Sequence, residues 1–570
     1  MTENTPNESH RISRRDFVKG AAIGAVGLLA GCGPAQQETS TSASTDMPAR
    51  TTAPTATPTL LLASEYWPTG GWRTSTPEEQ GMDSEQLTRM IQYIQDQDIN
   101  LHSLLIVRNG CVVADAYIHP FSQNSKHVLH SATKSIVSAL VGIAIDKGYV
   151  ESVNQPVLGF FPERTVATLD SRKRAMTLEH LLTMATGWEW QDSYENKWLS
   201  TTQMQLSPDW IQHMLDLPMV EQPGTQFEYC NGASFLLSAI IQEATGMSTL
   251  AFAEKYLFGP LGISDETWLS NPQGVPIGYG RIWMNPRDMA KIGYLYLNKG
   301  LWAGQQLISS AWIEASTRQH FSFPDGEGYG YQWWVEGSGI YKAMGFAGQR
   351  IIVLPEQDMV VVFTAGLHPG DEAVLDSLLN YFIVPAVVLS APRPENPEEV
   401  ALLEARIQAL ANPEAEPVPP LPEMAQSVSE KRYILEDDTL GWRSFSLAFQ
   451  EREALMSLFF GEDSLKLPVG LDSVYRVTHV DQPLFLILLN VASRAADIDR
   501  IIRETGLDWS GSIALKGSWP NDNTFVVNQQ IVGEHDILRL SLTFDENGVD
   551  VLEQTLVLGT SQRTHGSLQD

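Results

Sequence analysis

Residues 131–148 read SATKSIVSALVGIAIDKG. The run is apolar on nearly every face of a helix, which is typical of a helix buried at the centre of a domain. Ser131 and Lys134 stand three residues apart, so a helix places the lysine amine over the serine hydroxyl. Because an ammonium is disfavoured among apolar side chains, we expect the pKa of Lys134 to fall towards neutrality. The stretch therefore predicts a serine nucleophile with a lysine base.

A second element is expected to supply a tyrosine and an asparagine. Tyr-x-Asn occurs three times, beginning at Tyr194, Tyr229 and Tyr296. Tyr194 lies in a polar loop, and Tyr296 lies within a predicted structural helix. Tyr229 instead follows a Pro-Gly turn at residues 223–227, which leads a short extended segment into a site. Tyr229 and Asn231 are therefore the predicted partners of the serine and lysine.

Strand patterns lie on both sides of this region. Residues 104–117, LLIVRNGCVVADAY, predict two strands joined at Asn109-Gly110, the strongest short signal of a hairpin. Residues 351–354 and 359–364 are rich in β-branched side chains and predict neighbouring antiparallel strands. A helix is predicted between the two ends, at residues 286–298, with proline in its first turn. The pattern predicts one sheet assembled from both ends of a domain.

Four ordered motifs resemble the β-lactamase-related serine hydrolases: SATK at residues 131–134, TLEHLLTMATG at 177–187, PGTQFEYCN at 223–231 and NPRDMAK at 285–291. That family holds class C β-lactamases, D-Ala-D-Ala carboxypeptidases, family VIII esterases and 6-aminohexanoate-dimer hydrolases. The likeness covers about residues 71–388. It implies an α+β, β-lactamase/transpeptidase-like fold, with an antiparallel sheet flanked by helices and a helical subdomain.

The resemblance also implies a division of labour. Ser131 attacks a carbonyl and forms an acyl-enzyme, while Lys134 takes its proton. Tyr229 hands the proton to the leaving group, and Asn231 hydrogen-bonds Lys134 and the substrate. The backbone N–H of Ser131 and one from a later strand form the oxyanion hole. Water then hydrolyses the ester, and neither a metal nor an organic cofactor is expected.

The family's third motif, Lys-Thr-Gly or His-x-Gly, is where this sequence departs from its relatives. The best match is GFAGQ at residues 345–349, with Ala347 where relatives place the cation. A cation there binds the carboxylate of a β-lactam, so its absence argues against β-lactamase activity. Gly348 and Gln349 are the predicted substrate-binding residues, with the second oxyanion donor placed at Gln349. Arg350 compensates only if its side chain turns inward.

The first 32 residues predict a twin-arginine signal peptide. Residues 13–19, SRRDFVK, resemble the export motif, and the apolar run that follows is too short to span a bilayer. LAGC at residues 29–32 resembles a lipobox, so cleavage before Cys32 and lipidation of its thiol are expected. Residues 33–67 are rich in Thr, Ser and Pro, which is typical of a flexible tether. We therefore expect an exported lipoprotein, anchored in a membrane and facing the periplasm or the cell exterior.

The remaining chain divides into three predicted parts. Residues 68–392 form the hydrolase domain, and residues 393–430 form a helix with a Pro-rich linker. Residues 431–570 alternate between apolar and polar and contain many turn signals, which predicts a C-terminal all-β domain. No internal repeat of 20–50 residues is present.

Composition limits the partners. With 38 basic and 68 acidic residues among 570, the formal net charge is −30. Nucleic acid is disfavoured as a partner because phosphates need lysine and arginine to neutralise them. Cys111 and Cys230 are predicted to be buried thiols, with a disulfide between them as the alternative. The absence of His-Glu-x-x-His disfavours a metal site, and the absence of Gly-x-Ser-x-Gly disfavours an α/β-hydrolase.

These observations favour an anchored serine hydrolase that acts on a small ester, amide or peptide substrate. A second hypothesis is a penicillin-binding protein, either a silent module that recognises peptidoglycan stems or a D-Ala-D-Ala carboxypeptidase or β-lactamase. A third is a scaffold whose C-terminal domain is the functional part. The complete set of serine, lysine, tyrosine and asparagine favours catalysis, because a pure binder has no need of a desolvated lysine.

Overall fold

The structure is a computed structural model that describes residues 66–437, 440–482, 484, 485, 488 and 510–569. The strands of this part of the chain are β1 Arg73–Thr74, β2 Leu101–Arg108, β3 Cys111–Tyr117, β4 His127–Val128, β5 Thr267–Trp268, β6 Ile282–Met284, β7 Leu301–Trp302, β8 Gln305–Gln306, β9 Phe321–Ser322, β10 Glu327–Tyr329, β11 Trp334–Glu336, β12 Tyr341–Gly345, β13 Gln349–Leu354, β14 Met359–Ala365, β15 Arg432–Leu435, β16 Ser444–Phe449, β17 Glu453–Phe460, β18 Asp463–Gly470, β19 Arg476–Val480, β20 Gly511–Asn521, β21 Thr524–Ile531, β22 Ile537–Phe544, β23 Val549–Thr555 and β24 Ser561–Leu568.

The α-helices of the same residues are α1 Ser84–Asp96, α2 Thr133–Asp146, α3 Ser171–Ala175, α4 Leu178–Leu182, α5 Leu199–Leu206, α6 Trp210–Asp216, α7 Asn231–Thr245, α8 Thr249–Ala253, α9 Gly259–Leu261, α10 Pro286–Leu297, α11 Ser310–Ser316, α12 Ala373–Leu378, α13 Val384–Ala386, α14 Pro397–Ala411 and α15 Glu423–Val428. Short 3-10 turns lie at Pro68–Gly70, Glu78–Gln80, His130–Ala132, Val157–Phe160, Phe346–Gly348 and Pro355–Gln357, and π turns lie at Glu254–Phe258 and Leu379–Ile383.

One sheet joins the two ends of the hydrolase region, in the order β1-β3-β2-β14-β13-β12-β11-β10-β9. The predicted hairpin is present as β2 and β3, and Asn109 and Gly110 take the left-handed φ values of 49° and 75° that a two-residue turn uses. The late strand β14 pairs antiparallel with β2, with Val361 opposite Ile106. Except at β1, which runs parallel to β3, the neighbouring strands are antiparallel. The predicted sheet is thereby confirmed.

Helices cover both faces of this sheet. Leu87 and Ile91 of α1 belong to a buried cluster with Ile106 and Val361 on one face. On the other face, α10 packs so closely on β14 that a methyl group at Gly293 would lie 2.6 Å from a Val360 methyl. The elements from α3 to α9 form a helical subdomain beside α2. The architecture is the predicted α+β, β-lactamase/transpeptidase-like arrangement.

The central helix α2 begins at Thr133, two residues later than the sequence pattern indicates. Ser131 lies just before it, in the 3-10 turn His130–Ala132. His130 has a left-handed φ of 45°, so a regular α-helix does not include it, and the chain enters α2 through this tighter turn. From Thr133 to Ala144 every residue of α2 is buried, as predicted.

The C-terminal domain is all-β and barrel-like. Its strands follow the order β18-β17-β16-β15-β24-β23-β22-β21-β20-β19, and a pairing of Gly470 with Lys516 brings β18 back to β20. In β22 the residues Leu538, Leu540 and Leu542 are buried and alternate with half-buried ones, as expected where a sheet closes around its own core.

The segment that connects the hydrolase region to the C-terminal domain packs against the hydrolase region. Helix α14 lies against α1 and β3, with Leu403 and Leu410 buried. Trp67–Asp570 accordingly form one compact unit. In the residues that the structure describes, no single helix has the length and apolarity to cross a membrane, although the bent pair Asn231–Thr245 and Thr249–Leu261 has both when taken together. Cys111 and Cys230 are free thiols, the first half-buried and the second buried.

Candidate active site

Ser131 and Lys134 meet at the start of α2. Lys134 Nζ donates to Ser131 Oγ at 2.9 Å, to Asn231 Oδ1 at 2.7 Å and to the backbone carbonyl of Tyr279 at 3.2 Å. The lysine is 1% exposed, so all three partners are needed to satisfy an ammonium in this position. The arrangement brings together the three side chains that the sequence placed on two separate segments.

A half-buried carboxylate, Asp192, lies behind the asparagine. Asn231 Nδ2 donates to Thr201 Oγ1 at 2.9 Å and to Asp192 Oδ2 at 3.3 Å. The backbone N–H of Thr201 donates to Asp192 Oδ1 at 3.0 Å. These bonds fix the amide so that its oxygen points at Lys134, because both amide hydrogens are used on the opposite side.

Tyr229 lies over the lysine. Its ring centroid is 4.8 Å from Lys134 Nζ. Trp334 stacks on the same ring, with centroids 6.1 Å apart and planes inclined by 22°. The phenol hydroxyl interacts with Ser131. The tyrosine is therefore held between an indole and the cationic end of the lysine, with its hydroxyl beside the nucleophile.

Burial moves the two proton-transfer groups in opposite directions. It lowers the pKa of Lys134 to about 7, although the Asp192 carboxylate partly opposes this by favouring the ammonium. It raises the pKa of Tyr229 well above its usual value, partly opposed by the contact with Ser131. Near neutral pH the amine is therefore able to accept a proton, whereas the phenol keeps its own. Such a separation of pKa values distinguishes a base from an acid in one site.

The predicted third motif is a buried turn between β12 and β13. Gly348 has a φ of 95°, and a methyl group there would lie 3.0 Å from Ala365 Cβ and 3.1 Å from a Leu375 methyl. Gln349 is fully buried, and its Nε2 donates to the carbonyls of Phe346 and Ala365 at 3.0 and 2.8 Å. The two amide hydrogens of Gln349 are thereby both used within the protein. These contacts give Gly348 and the Gln349 side chain a role in the shape of the turn.

Neither Ala347 nor Arg350 supplies a cation at this turn. Ala347 lies within it at a φ of 61°, and its N–H donates to Glu372 Oε1 at 2.9 Å. Arg350 is buried and directed to the same carboxylate, which it meets at 2.6 Å. It also donates to the Gly345 carbonyl at 3.3 Å. The side chain of Arg350 does turn inward, but its charge is used by Glu372 and not directed to a substrate.

The end of β12 packs against the segment that leads to the nucleophile. A methyl group at Gly345 would lie 2.1 Å from the carbonyl oxygen of Leu129, two residues before Ser131. The next residue along the chain is Phe346, whose ring meets that of His130 edge-on at 5.7 Å. This close approach, which glycine permits, brings the backbone that follows β12 to the serine.

The tyrosines of the other two Tyr-x-Asn segments have other partners. Tyr296 is a core residue of α10, with its ring 4.5 Å from that of Trp333. Tyr194 stacks on Phe346 with centroids 6.4 Å apart, and its hydroxyl donates to the Val557 carbonyl at 3.1 Å. Of these three tyrosines, Tyr229 is the one whose hydroxyl contacts Ser131.

Sequence reasoning missed Asp192 and Tyr279. Asp192 belongs to the same polar loop as Tyr194, and no motif marks it. Tyr279 contributes a backbone carbonyl, which any residue type could supply. Cys32, the predicted lipidation site, lies outside the described residues. Among the residues that are described, no group of three or more His, Cys, Asp or Glu side chains is arranged to hold a metal ion.

This chain is similar to several known proteins. The β-lactamase family model matches residues 87–380. The 6-aminohexanoate-dimer hydrolase of Paenarthrobacter ureafaciens is 25% identical over 280 residues, which are 46% of this chain and 71% of that protein. The monacolin J acid methylbutanoyltransferase of Aspergillus terreus is 28% identical over 155 residues, 25% of this chain and 37% of that protein. The structure of the octameric penicillin-binding protein homologue from Pyrococcus abyssi matches 85% of this chain and 100% of its own, with 15% identity and a TM-score of 0.42.

Proposed function

Because the chain belongs to the β-lactamase family, we propose that it is a serine hydrolase that cleaves an ester or amide through an acyl-enzyme on Ser131. The observation that carries the proposal is the 2.9 Å contact between Ser131 Oγ and the amine of Lys134. A lysine whose pKa is lowered to about 7 is neutral often enough at physiological pH to take the serine proton. A protein that only binds its ligand gains nothing from such a lysine, and its burial costs stability.

The side chains of the candidate active site support an order of events. Lys134 removes the proton from Ser131 as Oγ bonds to the substrate carbonyl carbon. Tyr229, whose phenol stays protonated, gives a proton to the leaving alcohol or amine and recovers one from Lys134. Asn231 holds the amine in line through its 2.7 Å contact. Water then attacks the acyl-enzyme by the reverse proton path and releases the acid.

The oxyanion hole consists of backbone N–H groups in this proposal. One belongs to Ser131, at the entrance to α2, where the helix dipole favours negative charge. The second donor is proposed at Gln349, as the sequence predicted. Gln349 lies opposite Gly345 in the pairing of β12 with β13, and Gly345 packs against the carbonyl of Leu129, two residues before the nucleophile.

The substrate proposed is small and uncharged near the scissile bond. Arg350, the cation beside the third motif, already pairs with Glu372. A substrate carboxylate placed there would lose its hydration without gaining a charged partner. A curated relative is a 6-aminohexanoate-dimer hydrolase, which supports hydrolysis of an ester or amide over β-lactam turnover.

We further propose that the protein is exported as a twin-arginine lipoprotein anchored through Cys32. The order of the arginine pair, the short apolar run and the lipobox supports this. Replacing Cys32→Ala should release the protein from the membrane fraction into the soluble one while hydrolysis per molecule stays unchanged. Retention of that variant in the membrane fraction would rule out Cys32 as the anchor.

Labelling with a fluorescent phosphonate tests the catalytic proposal. The wild-type protein should react at one serine, and Ser131→Ala should abolish both labelling and hydrolysis of p-nitrophenyl butyrate while the melting temperature stays close to the wild-type value. Ser135→Ala is a matched control, because Ser135 is one residue after Lys134 and donates instead to the Gln332 carbonyl. Undiminished labelling of Ser131→Ala would overturn the assignment. Fluorescent penicillin, applied to the same preparations, tests the penicillin-binding alternative.

A further inference from the structure

The β21–β22 loop of the C-terminal domain, residues 532–536, packs against the segment that leads to the nucleophile. The backbone N–H of Val128 donates to the Gly533 carbonyl at 2.9 Å. On the other side, a methyl group at Gly366 would lie 2.2 Å from the His535 carbonyl oxygen. The loop therefore sits between two backbone segments of the hydrolase region, and at both it makes contact through main-chain atoms.

Two carboxylates fix this loop from both domains. Glu534 Oε1 accepts a hydrogen bond from the Trp283 indole at 3.1 Å. Asp536 accepts from the backbone N–H groups of Val557 and Leu558, at 2.8 and 3.1 Å, in the neighbouring loop of its own domain. Because the residues on either side of His535 are anchored in this way, its imidazole has a defined position.

That position is next to His130, the residue before the nucleophile. His130 Nε2 and His535 Nδ1 are 2.9 Å apart, and the rings meet edge-on with centroids 4.6 Å apart. A hydrogen bond between two imidazoles needs one nitrogen to donate and the other to accept. Burial lowers the pKa of His535 to about 3 and that of His130 well below its usual value. Both rings are therefore neutral, and the bond is retained across the working pH range.

The backbone of His130 needs such support. Its φ of 45° is left-handed, a conformation that is unfavourable for residues with a side chain. Residues hold such conformations only where the surroundings impose them. Ser131 follows directly, so the direction of its Cα–Cβ bond depends on this turn. Around the His130 ring, the described partners are the imidazole of His535 and the ring of Phe346.

We propose that His535 is a positioning residue for the nucleophile, and that the C-terminal domain is through it a working part of the catalytic centre. The hydrogen bond to His130 holds the left-handed turn that aims Ser131 Oγ at Lys134. The inference rests on the proposed function, since it gives His535 a purpose only if Ser131 reacts. It predicts that a change in the C-terminal domain slows the chemical step without weakening substrate binding.

The test compares two substitutions in the full-length chain. His535→Leu removes the hydrogen bond at similar volume and should slow phosphonate labelling and kcat for p-nitrophenyl butyrate by about tenfold or more, with KM within about twofold of wild type. His535→Asn places an amide near the position of Nδ1 and should keep both rates within about threefold. His565→Leu is the matched control, because His565 lies in the same domain and bonds Asp550 on the adjacent strand of that domain. It should behave as wild type.

A rescue separates positioning from a merely structural contact. Glycine adopts a left-handed φ without strain, so His130→Gly in the His535→Leu background should recover most of the lost labelling rate. With His535 intact, His130→Ala should be slow, whereas His130→Gly should label near the wild-type rate. These two single variants keep the inference testable if His535→Leu does not fold, because equal rates in the two would overturn it.

Three further outcomes would overturn the inference: wild-type labelling of His535→Leu, an equal loss in His535→Asn and His535→Leu, or no recovery with His130→Gly. Failure of the wild-type protein to label at Ser131 would instead overturn the proposed function. The two failures are therefore distinguishable within one set of measurements.

Discussion

Two buried lysines in the hydrolase region differ in what surrounds them. Lys134 is 1% exposed, and Lys173 of α3 is 0% exposed. Each amine donates three hydrogen bonds, and burial lowers the pKa of both. Lys173 Nζ donates to the carbonyls of Leu215 and Leu217, both at 2.7 Å, and to the Thr168 hydroxyl at 2.6 Å. Lys134 instead has the nucleophile's hydroxyl among its partners.

The difference shows that burial alone does not make a lysine a base. Carbonyl oxygens only accept hydrogen bonds, so the two carbonyls around Lys173 favour an ammonium and offer it no proton. Each amine also contacts one hydroxyl, Thr168 at Lys173 and Ser131 at Lys134, so a hydroxyl neighbour alone does not make a base either. What distinguishes Lys134 is that its hydroxyl partner also contacts the Tyr229 phenol, a group able to carry the proton onward. Lys173 ties two loops of the helical subdomain together, whereas Lys134 is placed for chemistry.

Replacing each lysine should have opposite consequences, and this is the largest effect we expect. Lys134→Ala should lower the rate of Ser131 acylation by about a thousandfold or more, since proton transfer and orientation are lost together. Lys173→Met should keep the rate within about tenfold, but it should lower the free energy of unfolding because three acceptors lose their donor. Phosphonate labelling and chemical denaturation measure the two effects. If both variants lost labelling to a similar extent at similar stability, the proposed difference between Lys134 as a base and Lys173 as a structural residue would be wrong.

Lys134→Arg extends this comparison. A guanidinium stays protonated at any working pH, so the variant should be nearly as inactive as Lys134→Ala despite keeping a positive charge. Near-native turnover by the arginine variant would show that Lys134 acts through its charge and not as a base.

Substrate preference is the next effect in size. Lys134 is neutral when it acts, and Arg350 is paired with Glu372. Neither residue therefore offers a positive charge to a substrate carboxylate at the third motif. A lost charge-assisted hydrogen bond of about 1.5–3 kcal/mol corresponds to about one to two decades in kcat/KM. The kcat/KM for nitrocefin should therefore be lower than that for p-nitrophenyl butyrate. The reverse order would direct attention to Arg281, whose charge acts on His130 and Glu534.

Activity should rise with pH through about 7. The neutral form of Lys134 is the base, and its fraction falls about tenfold for each pH unit below the pKa. The kcat/KM should therefore increase about tenfold between pH 5 and 6 and reach a plateau above pH 8, with a midpoint near the lysine pKa of about 7. Stopped assays with an ester of constant ionisation measure the profile. A flat or falling profile between pH 5 and 8 would contradict the role of Lys134.

Asp192 should set the position of that midpoint, with the smallest effect of the series. Its carboxylate favours the ammonium form of Lys134, so Asp192→Asn should lower the lysine pKa and move the midpoint down by several tenths of a unit to about one unit. Asp209→Asn is the control, because Asp209 caps α6 and pairs with Arg164 in the same subdomain. An unchanged or higher midpoint in Asp192→Asn would show that the Asp192 carboxylate does not raise the pKa of Lys134.

The sequence by itself determined the features that depend on neighbouring residues. Ser131 and Lys134 meet because residues three apart lie on the same side of a helical turn. Asn109-Gly110 makes the hairpin because those residues tolerate left-handed φ values. Alternation predicted the C-terminal β domain, and β-branched runs predicted β13 and β14. Even here the chain enters α2 through a 3-10 turn, and the left-handed φ of His130 in that turn has no local signature.

Only the tertiary structure decided how distant groups meet. Asn231, which the sequence predicted, meets Lys134 across 97 residues of chain, and His535, which no pattern marked, meets His130 across 405. The same packing makes Lys173, in the charged run at residues 171–174, a buried group. Local patterns report the spacing of side chains along one element, whereas these contacts depend on how separate elements pack. Proton affinity follows burial and partners, and for that reason the chemistry of Lys134 is fixed by the folded protein as a whole.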